Sequence, residues 1–493
     1  MQLENSVKLG YGQVHENAGS QRVSFAGLYV FTFLLYTRPQ ELFTAVFGDF
    51  PLVKIVAIVA LATYVTGRIV SGRPVTIWPI ELKMLLLIVV LGLGFAFVAQ
   101  SPGDSFNVLT DTLLKIVAVF ILMINLIDTR QRLLSIIRLV VVVCAFMGLA
   151  ALLTFAAGRF TPKTYPPRIQ GIVNGIFGNP NDLASSLDLA IPLALAAGMW
   201  SKGTKRLFYF GCAFILAAAV VFTYSRGGFL GMIAIAIFFM MKLARRKAGT
   251  IVLIAVSVVA LLMFAPGGYG SRLSSILHVD EDQTGSAQAR LDLLTRATEM
   301  VVTHPIVGLG LGNFHIYSIA EQRAHNSYLE IAAELGLIGL VAYLIILFAP
   351  FRYLRKIEAM SRPTSQPQTN GWEKRAGPPS LDQYESGRVT TYYLCLGIQG
   401  ALIAYAVVSF FGSVQYIWDL YYVVAYAIAL KGICGLAAVH TEPDNATAFD
   451  RKYNRTSARG SVRPPVPEPP CETGVLWGRS LGQGIALPPG RAL

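Results

Sequence analysis

The first candidate for chemistry in this chain is an imidazole placed where a long polar segment meets an apolar run. His325 follows the glycine-rich stretch Gly308-Leu-Gly-Leu-Gly-Asn-Phe314 and sits in Ala324-His-Asn-Ser-Tyr-Leu-Glu330. A histidine with its ordinary pKa of about 6.5 can accept the proton of an attacking hydroxyl near neutrality. Two guanidiniums offer a second capability. Arg226, in Tyr224-Ser-Arg-Gly-Gly228, and Arg290 could together clamp a diphosphate, because planar forks match phosphate oxygens and tolerate partial desolvation. Glu330 and Glu334, one helical turn apart, and Asp188 fall inside apolar runs, where an ionisable group costs free energy and is a functional hypothesis by default.

Each of these residues also has a plainer reading. Ser327 and Glu330 match a Ser-x-x-Glu capping box, which would make His325 an interfacial residue outside a well-capped helix. Arg226 could snorkel to lipid headgroups, and Asp111 and Lys115 read as an internal i,i+4 ion pair. In Phe177-Gly-Asn-Pro-Asn-Asp-Leu-Ala184, Asn181 or Asp182 is expected to cap the following helix. The glycines at 308, 310 and 312 fit neither a dinucleotide fingerprint nor a phosphate loop. No Ser-His-Asp order, His-Glu-x-x-His or zinc spacing appears. Asp280-Glu-Asp282 is similar to the carboxylate pair that holds a metal in nucleotide-sugar transferases, but it falls on the outer side of the expected topology.

The elements that must position these groups belong to a membrane protein. The chain is 54% hydrophobic and 14% charged with a mean hydropathy of +0.55, so its solvent is mostly lipid. The expected fold is all-α, a polytopic bundle of about twelve spans near 23–43, 51–68, 79–99, 106–127, 133–157, 183–200, 206–223, 228–243, 249–265, 326–349, 391–412 and 417–438. The formal charge of +13 sits in short connections rather than in a basic, aromatic-rich module, which argues against nucleic acid. Arg68 and Arg73, then Arg130, Arg132 and Arg138, then Lys202, Lys205 and Arg206, then the cluster from Lys242 to Lys247, then Arg352, Arg355 and Lys356 fall on alternate connections. The positive-inside rule makes that face cytoplasmic, with both termini inside.

The expected organisation is a cytoplasmic N-terminus at 1–22, helices over 23–265, a periplasmic loop at 266–325, a tenth span at 326–349, a cytoplasmic loop at 350–390, two spans over 391–438, and a disordered cytoplasmic tail at 439–493. Within the long outer segment, Ser286 to Val302 places Leu291, Leu294, Thr298 and Val301 at helical spacing, as in a helix lying on the membrane surface. No cleavable signal is apparent, and the first span is read as an uncleaved insertion signal. Of the five cysteines, Cys144, Cys212, Cys395 and Cys434 lie in apolar runs without paired spacing and read as small buried residues. Asn445-Ala-Thr and Asn454-Arg-Thr match a glycosylation pattern by chance, given a cytoplasmic tail.

Taken in order, Phe177-Gly-Asn-Pro-Asn-Asp-Leu-Ala184, Tyr224-Ser-Arg-Gly-Gly228, an outer helix containing Arg290, Pro305-Ile-Val-Gly-Leu-Gly-Leu-Gly-Asn-Phe314 and His325-Asn-Ser-Tyr-Leu-Glu-Ile-Ala-Ala-Glu-Leu-Gly336 resemble the O-antigen ligase and O-antigen polymerase superfamily of bacterial inner-membrane glycosyltransferases. The resemblance covers about 170 to 350. Tyr36-Thr-Arg-Pro-Gln-Glu41 and Asp49-Phe-Pro-Leu-Val-Lys-Ile-Val56 more loosely resemble ligases found with exosortase and exopolysaccharide systems.

The resemblance implies transfer of a glycan from undecaprenyl diphosphate to an acceptor hydroxyl at the periplasmic face, with inversion, no metal and no cofactor. The acceptor could be lipid A core, a second glycan or a protein, and ligase and polymerase remain open. His325, Arg226 and Arg290 are then the catalytic candidates, and Asn179, Asn181, Arg168, Asn326, Glu330 and Glu334 the substrate-binding ones, with Arg38 weaker. The competing reading is a transporter or flippase for an anionic lipid-linked glycan, which should show internal repeats and broken helices in matching positions. No persuasive repeat relates the halves.

Overall fold

The computed structural model describes residues 21–47, 50–158, 168–173, 177–243, 286–363 and 379–435. The expected span at 249–265, the Asp280-Glu-Asp282 stretch and the C-terminal tail lie outside them. Among the described residues the chain is helical and contains no strand. This is what an apolar solvent demands, because a helix satisfies its own backbone where water cannot.

The helices are α1 (21–37), α2 (Leu52–Val70), α3 (Ile80–Ala96), α4 (Pro102–Leu126), α5 (Arg130–Ala156), α6 (Pro180–Trp200), α7 (Gly203–Phe222), α8 (Arg226–Leu243), α9 (Ser286–Thr303), α10 (Ser327–Ser361), α11 (Pro379–Val408) and α12 (Trp418–Ile433). Eight of these are long and apolar enough to cross a membrane. The bundle is a polytopic helical membrane protein organised around α6, which packs against α5, α7, α8 and α11. Some 89% of the apolar window of α6 is buried, against 11% for α2, so α6 is a core element and α2 faces the surroundings.

Buried polar side chains tie the central helices together, as they must where no water competes. Tyr36 at the end of α1 donates to Asp419 Oδ1 of α12 at 2.9 Å, and Ser186 of α6 donates to Asp419 Oδ2 at 2.5 Å. Asp111 and Lys115 form the expected pair at 2.7 Å, on a π-helical turn at Leu109–Leu113.

Three expectations about element limits need correction. The first span does not continue to 43: α1 stops at 37, where Arg38 takes a left-handed φ of 43° before Pro39. The connection expected at 350–390 is helical over its described residues 350–361 and 379–390. α10 runs on to Ser361 because Glu358 is held by Lys242 of α8 and Gln399 of α11, and α11 begins at Pro379. Finally, α10 is not one continuous rod. At Gly336 (φ 69°, ψ −177°) the backbone leaves helical geometry, which divides α10 into a short half carrying Glu330 and Glu334 and a long half below it.

Candidate active site

The break at Gly336 explains the glycine-rich return. In an uninterrupted helix the carbonyls of Ala333 and Glu334 would accept from the next turn of the same helix. Here Leu337 N donates instead to Pro305 O at 2.8 Å, while Leu309 N and Gly310 N donate to Ala333 O and Glu334 O at 2.9 and 3.0 Å. The segment 305–310 therefore lies against the gap and satisfies the groups the break frees. Gly308 permits this approach, since a Cβ there would meet the Glu334 carbonyl carbon at 2.3 Å. Asn313, fully buried, fixes the far side by accepting from Ser101 N at 2.8 Å and donating to Ser105 Oγ at 2.9 Å.

α9 docks on this assembly rather than lying with an apolar face toward lipid. Its buried positions are Leu293, Ala297 and Met300, and Leu291 is 45% exposed, so the expected face is displaced by one residue. Ala297 and Met300 pack with Leu309, Phe314, Ala324 and Ala333 in a small core of their own. The i, i+3, i+4 rule was sound; the partner was the short half of α10, whose position the sequence does not announce.

Asn326 caps α10, accepting from Tyr328 N and Leu329 N at 3.0 Å each. The expected Ser327–Glu330 box does not form. Ser327 Oγ donates to Gly412 O at 2.7 Å and accepts from Val414 N at 2.8 Å, so it stitches α10 to the 409–417 connection between α11 and α12. Glu330, 1% exposed, reaches further back: it accepts from Ala324 N at 3.1 Å, Arg323 Nε at 3.1 Å, Gln415 Nε2 at 2.8 Å and Ser413 Oγ. Glu334 accepts from Tyr416 OH at 2.8 Å and, at 3.4 Å, from Phe314 N.

These bonds converge on His325. Its φ is 51°, a left-handed conformation that costs a residue with a Cβ about 1–2 kcal/mol. The loop is held there because His325 N donates to Ser413 Oγ at 3.1 Å while Ser413 and Ala324 N both bond Glu330. The imidazole is half-buried. Burial and then the positive charge of Arg290, with Arg323 adding to it, hold its pKa below the ordinary histidine value, and Glu330 pulls the other way. Arg290 of α9 and His325 are thus brought within electrostatic reach of each other.

Arg226 enters from the other side. It opens α8 after Tyr224, itself left-handed at φ 51°, and Ser225 Oγ accepts from Gly228 N at 3.3 Å as a cap. Gly227 lies so close to Phe411 that a Cβ would meet Phe411 Cβ at 2.7 Å. The connection 409–417 therefore touches both the Arg226 turn and the His325 loop. Arg168 binds the same turn, donating to Thr223 O at 2.7 Å and to Asn181 Oδ1 at 2.8 Å.

Asn179, rather than Asn181 or Asp182, caps α6, accepting from Asn181 N and Asp182 N at 2.9 Å each. The signal was present in the sequence, since Pro180 is the natural first helical residue and the cap precedes it. Arg38 is paired with Glu41 at 2.5 Å. Asp188 is buried in α6, where a Cβ at Gly231 would meet its Oδ2 at 2.5 Å.

Sequence reasoning missed four residues. Arg323 shares Glu330 with His325's own loop, and Ser413, Gln415 and Tyr416 supply the wall from the α11–α12 connection. A polar run as short as Gly412–Gln415 between two spans reads as an ordinary turn. The one available hint was a glutamine at a position too close to the membrane to be left unpaired.

Residues 211–344, which contain Arg226, Arg290, His325, Glu330 and Glu334, match a family model described as O-Antigen ligase. An O-antigen polymerase from Salmonella muenchen is 27% identical over 190 residues, which is 37% of this chain and 47% of that protein. The match thus spans about half the length of that curated relative. Both comparisons support the O-antigen ligase and O-antigen polymerase superfamily.

Proposed function

From that superfamily relationship, we propose that the chain is a membrane glycosyltransferase that moves a glycan from undecaprenyl diphosphate to an acceptor hydroxyl at the periplasmic face of the bacterial inner membrane. The observation that carries this reading is the meeting of His325 and Arg290 at one end of the bundle, beside the turn that bears Arg226. The acceptor oxygen attacks the anomeric carbon as the bond from that carbon to the diphosphate oxygen breaks. The hydroxyl proton passes to the imidazole, and the leaving diphosphate keeps the bonding electron pair. A single displacement of this kind inverts the anomeric centre.

The division of labour follows from chemistry. A diphosphate is a good leaving group whose developing charge is the main thing to stabilise, a task for the guanidiniums of Arg226 and Arg290 without a metal. Positioning the acceptor supplies much of the rest. The lowered pKa of His325 favours the neutral imidazole, the form able to accept a proton. Arg168, Asn179, Asn181, Asn326, Glu330 and Glu334 already hold the local backbone, so their contribution to substrate binding is to fix the surfaces on which it rests.

The break at Gly336 is the feature a transport reading would claim, because ion-coordinating carbonyls come from such breaks. Two carbonyls beside it already accept from Leu309 and Gly310, which favours a positioning role. The test is direct: purified protein, a lipid-diphosphate glycan and candidate hydroxyl acceptors should yield free lipid diphosphate and a glycosylated product. Transfer of the intact lipid-linked glycan across liposomes without a covalent change would overturn the assignment. Loss of long chains with single repeats still attached in a deletion strain marks a polymerase; loss of all attached glycan with lipid-linked polymer accumulating marks a ligase.

A further inference from the structure

The end of the bundle opposite the motifs carries a second concentration of guanidinium groups, between α1 and α2. A shallow pocket there is lined by Gln21 and Ser24 of α1, by Tyr64 and Arg68 of α2, and by Ser71 and Arg73 beyond it. α2 ends in a Schellman turn. Gly72 sits at φ 61°, Gly72 N donates to Ile69 O at 3.0 Å, and Arg73 N donates to Arg68 O at 3.1 Å. That turn folds the chain back so that Arg73 and Arg68 line one pocket.

The other polar groups of the pocket are engaged within it. Ser24 Oγ donates to Thr63 Oγ1 at 3.2 Å, Ser71 Oγ to Gly67 O at 2.6 Å, and Tyr64 OH to Val75 O at 2.5 Å. Arg68 lies over the Tyr64 ring, with Cζ 5.3 Å from its centroid, and its guanidinium interacts with the Tyr64 hydroxyl. Neither Arg68 nor Arg73 is ion-paired with any described carboxylate, and no acid lines the pocket. A pocket lined by two guanidiniums and no acid favours an anionic acceptor.

The flanks specify the form in which that acceptor arrives. Ile69 and Val70 at the end of α2 are 67% and 82% exposed, Val23 on α1 is 56% exposed, and Trp78 is 60% exposed just beyond. An apolar flank beside a basic pocket, with an exposed tryptophan following in the chain, matches the boundary between acyl chains and headgroups. We propose that this pocket binds the phosphate of an anionic membrane phospholipid. The forks of Arg68 and Arg73 hold the phosphate oxygens, and the acyl chains lie on the exposed face of α2. The site is separate from the transfer reaction and does not depend on it.

Native mass spectrometry of the full chain, released from detergent with defined lipids, tests this. The wild type is expected to retain one phosphatidylglycerol in preference to phosphatidylcholine by tenfold or more, and the Arg68→Gln/Arg73→Gln variant is expected to lose that preference. A Lys205→Gln/Arg206→Gln variant at the same end of the bundle should keep it. Arg73→Gln alone, at an exposed position after the helix, provides a variant that folds if the double substitution does not, and it should weaken retention at least threefold. Two results overturn the proposal: equal retention by the wild type and the Arg73→Gln variant, or saturation of the pocket by inorganic phosphate with no gain from acyl chains.

Discussion

α10 carries a buried glutamate near each end, and the two are used differently. Glu358, 4% exposed, accepts at both oxygens from Lys242 at 2.7 Å and takes a third bond from Gln399 at 3.0 Å. Its hydrogen-bond partners are side chains on neighbouring helices, with Arg362 one turn further on at 3.9 Å, so this carboxylate clamps α8, α10 and α11 together. Glu330 is at least as buried, yet one of its bonds goes to the backbone of a strained loop and another to the serine that holds His325 N. The contrast shows that burial and bond count do not identify a site. What distinguishes Glu330 is that its partners fix a reactive group in a conformation the chain would not choose alone.

The sharpest test of that contrast starts from the histidine itself. His325→Ala should reduce product formation by about 10²–10⁴-fold, the usual worth of a positioned general base, with thermal unfolding unchanged within error. Substantial residual transfer would remove the imidazole from the mechanism. Arg290→Gln comes next, with an expected loss of about 10²-fold from weaker stabilisation of the leaving diphosphate. This variant also has a second signature. Arg290 lowers the His325 pKa, so removing its charge raises that pKa, and the acid limb of the kcat/KM profile should move to higher pH. An unmoved limb would mean that the titrating base is another group.

The two glutamates then separate in opposite directions. Glu330→Gln should cost activity out of proportion to stability, by about 10–100-fold per folded molecule, because the amide cannot accept from Ala324, Ser413 and Arg323 with equal strength. Glu358→Gln should do the reverse. Lys242 is 28% exposed and can reach water once its partner is gone, so the loss is about 1–3 kcal/mol rather than that of a sealed pair. Activity per folded molecule should stay within twofold of wild type. Denaturation midpoints measured beside turnover in the same detergent distinguish the cases, and equal behaviour of the two variants would erase the contrast.

The spans were legible because their signal is long and redundant: about twenty apolar residues in a row survive any error of one or two positions. The loops and helix starts that carry the motif residues could be placed from the sequence, but the partners of those residues could not. Glu330 meets Ser413 and Gln415 more than eighty positions away, and no local periodicity encodes such a pairing. Gly336 was unreadable for a different reason. A glycine within an apolar span is ordinary, and only the arrival of Pro305 and Leu309 at the same place shows that the helix is interrupted there. The face of α9 was misjudged for the same cause, since its partner is the half-helix that this interruption creates.

The smallest expected effect is the most informative about the loop. Ser413→Ala removes the acceptor of the His325 N–H and one donor to Glu330, while leaving the imidazole, Arg226 and Arg290 in place. If the hydrogen bond serves only to satisfy a buried amide, stability should fall by about 1 kcal/mol and turnover should follow the folded fraction. If it holds the left-handed conformation, the loop relaxes toward an ordinary φ and the ring turns away from the acceptor, so kcat falls about 5–10-fold with KM for the donor little changed. Ser413→Thr keeps the hydroxyl and should restore most of kcat, which a merely structural loss would not predict. The second pattern is the expected one, because a conformation with a Cβ at φ 51° persists only where its surroundings over-determine it, and Ser413 is hydrogen-bonded to both His325 and Glu330.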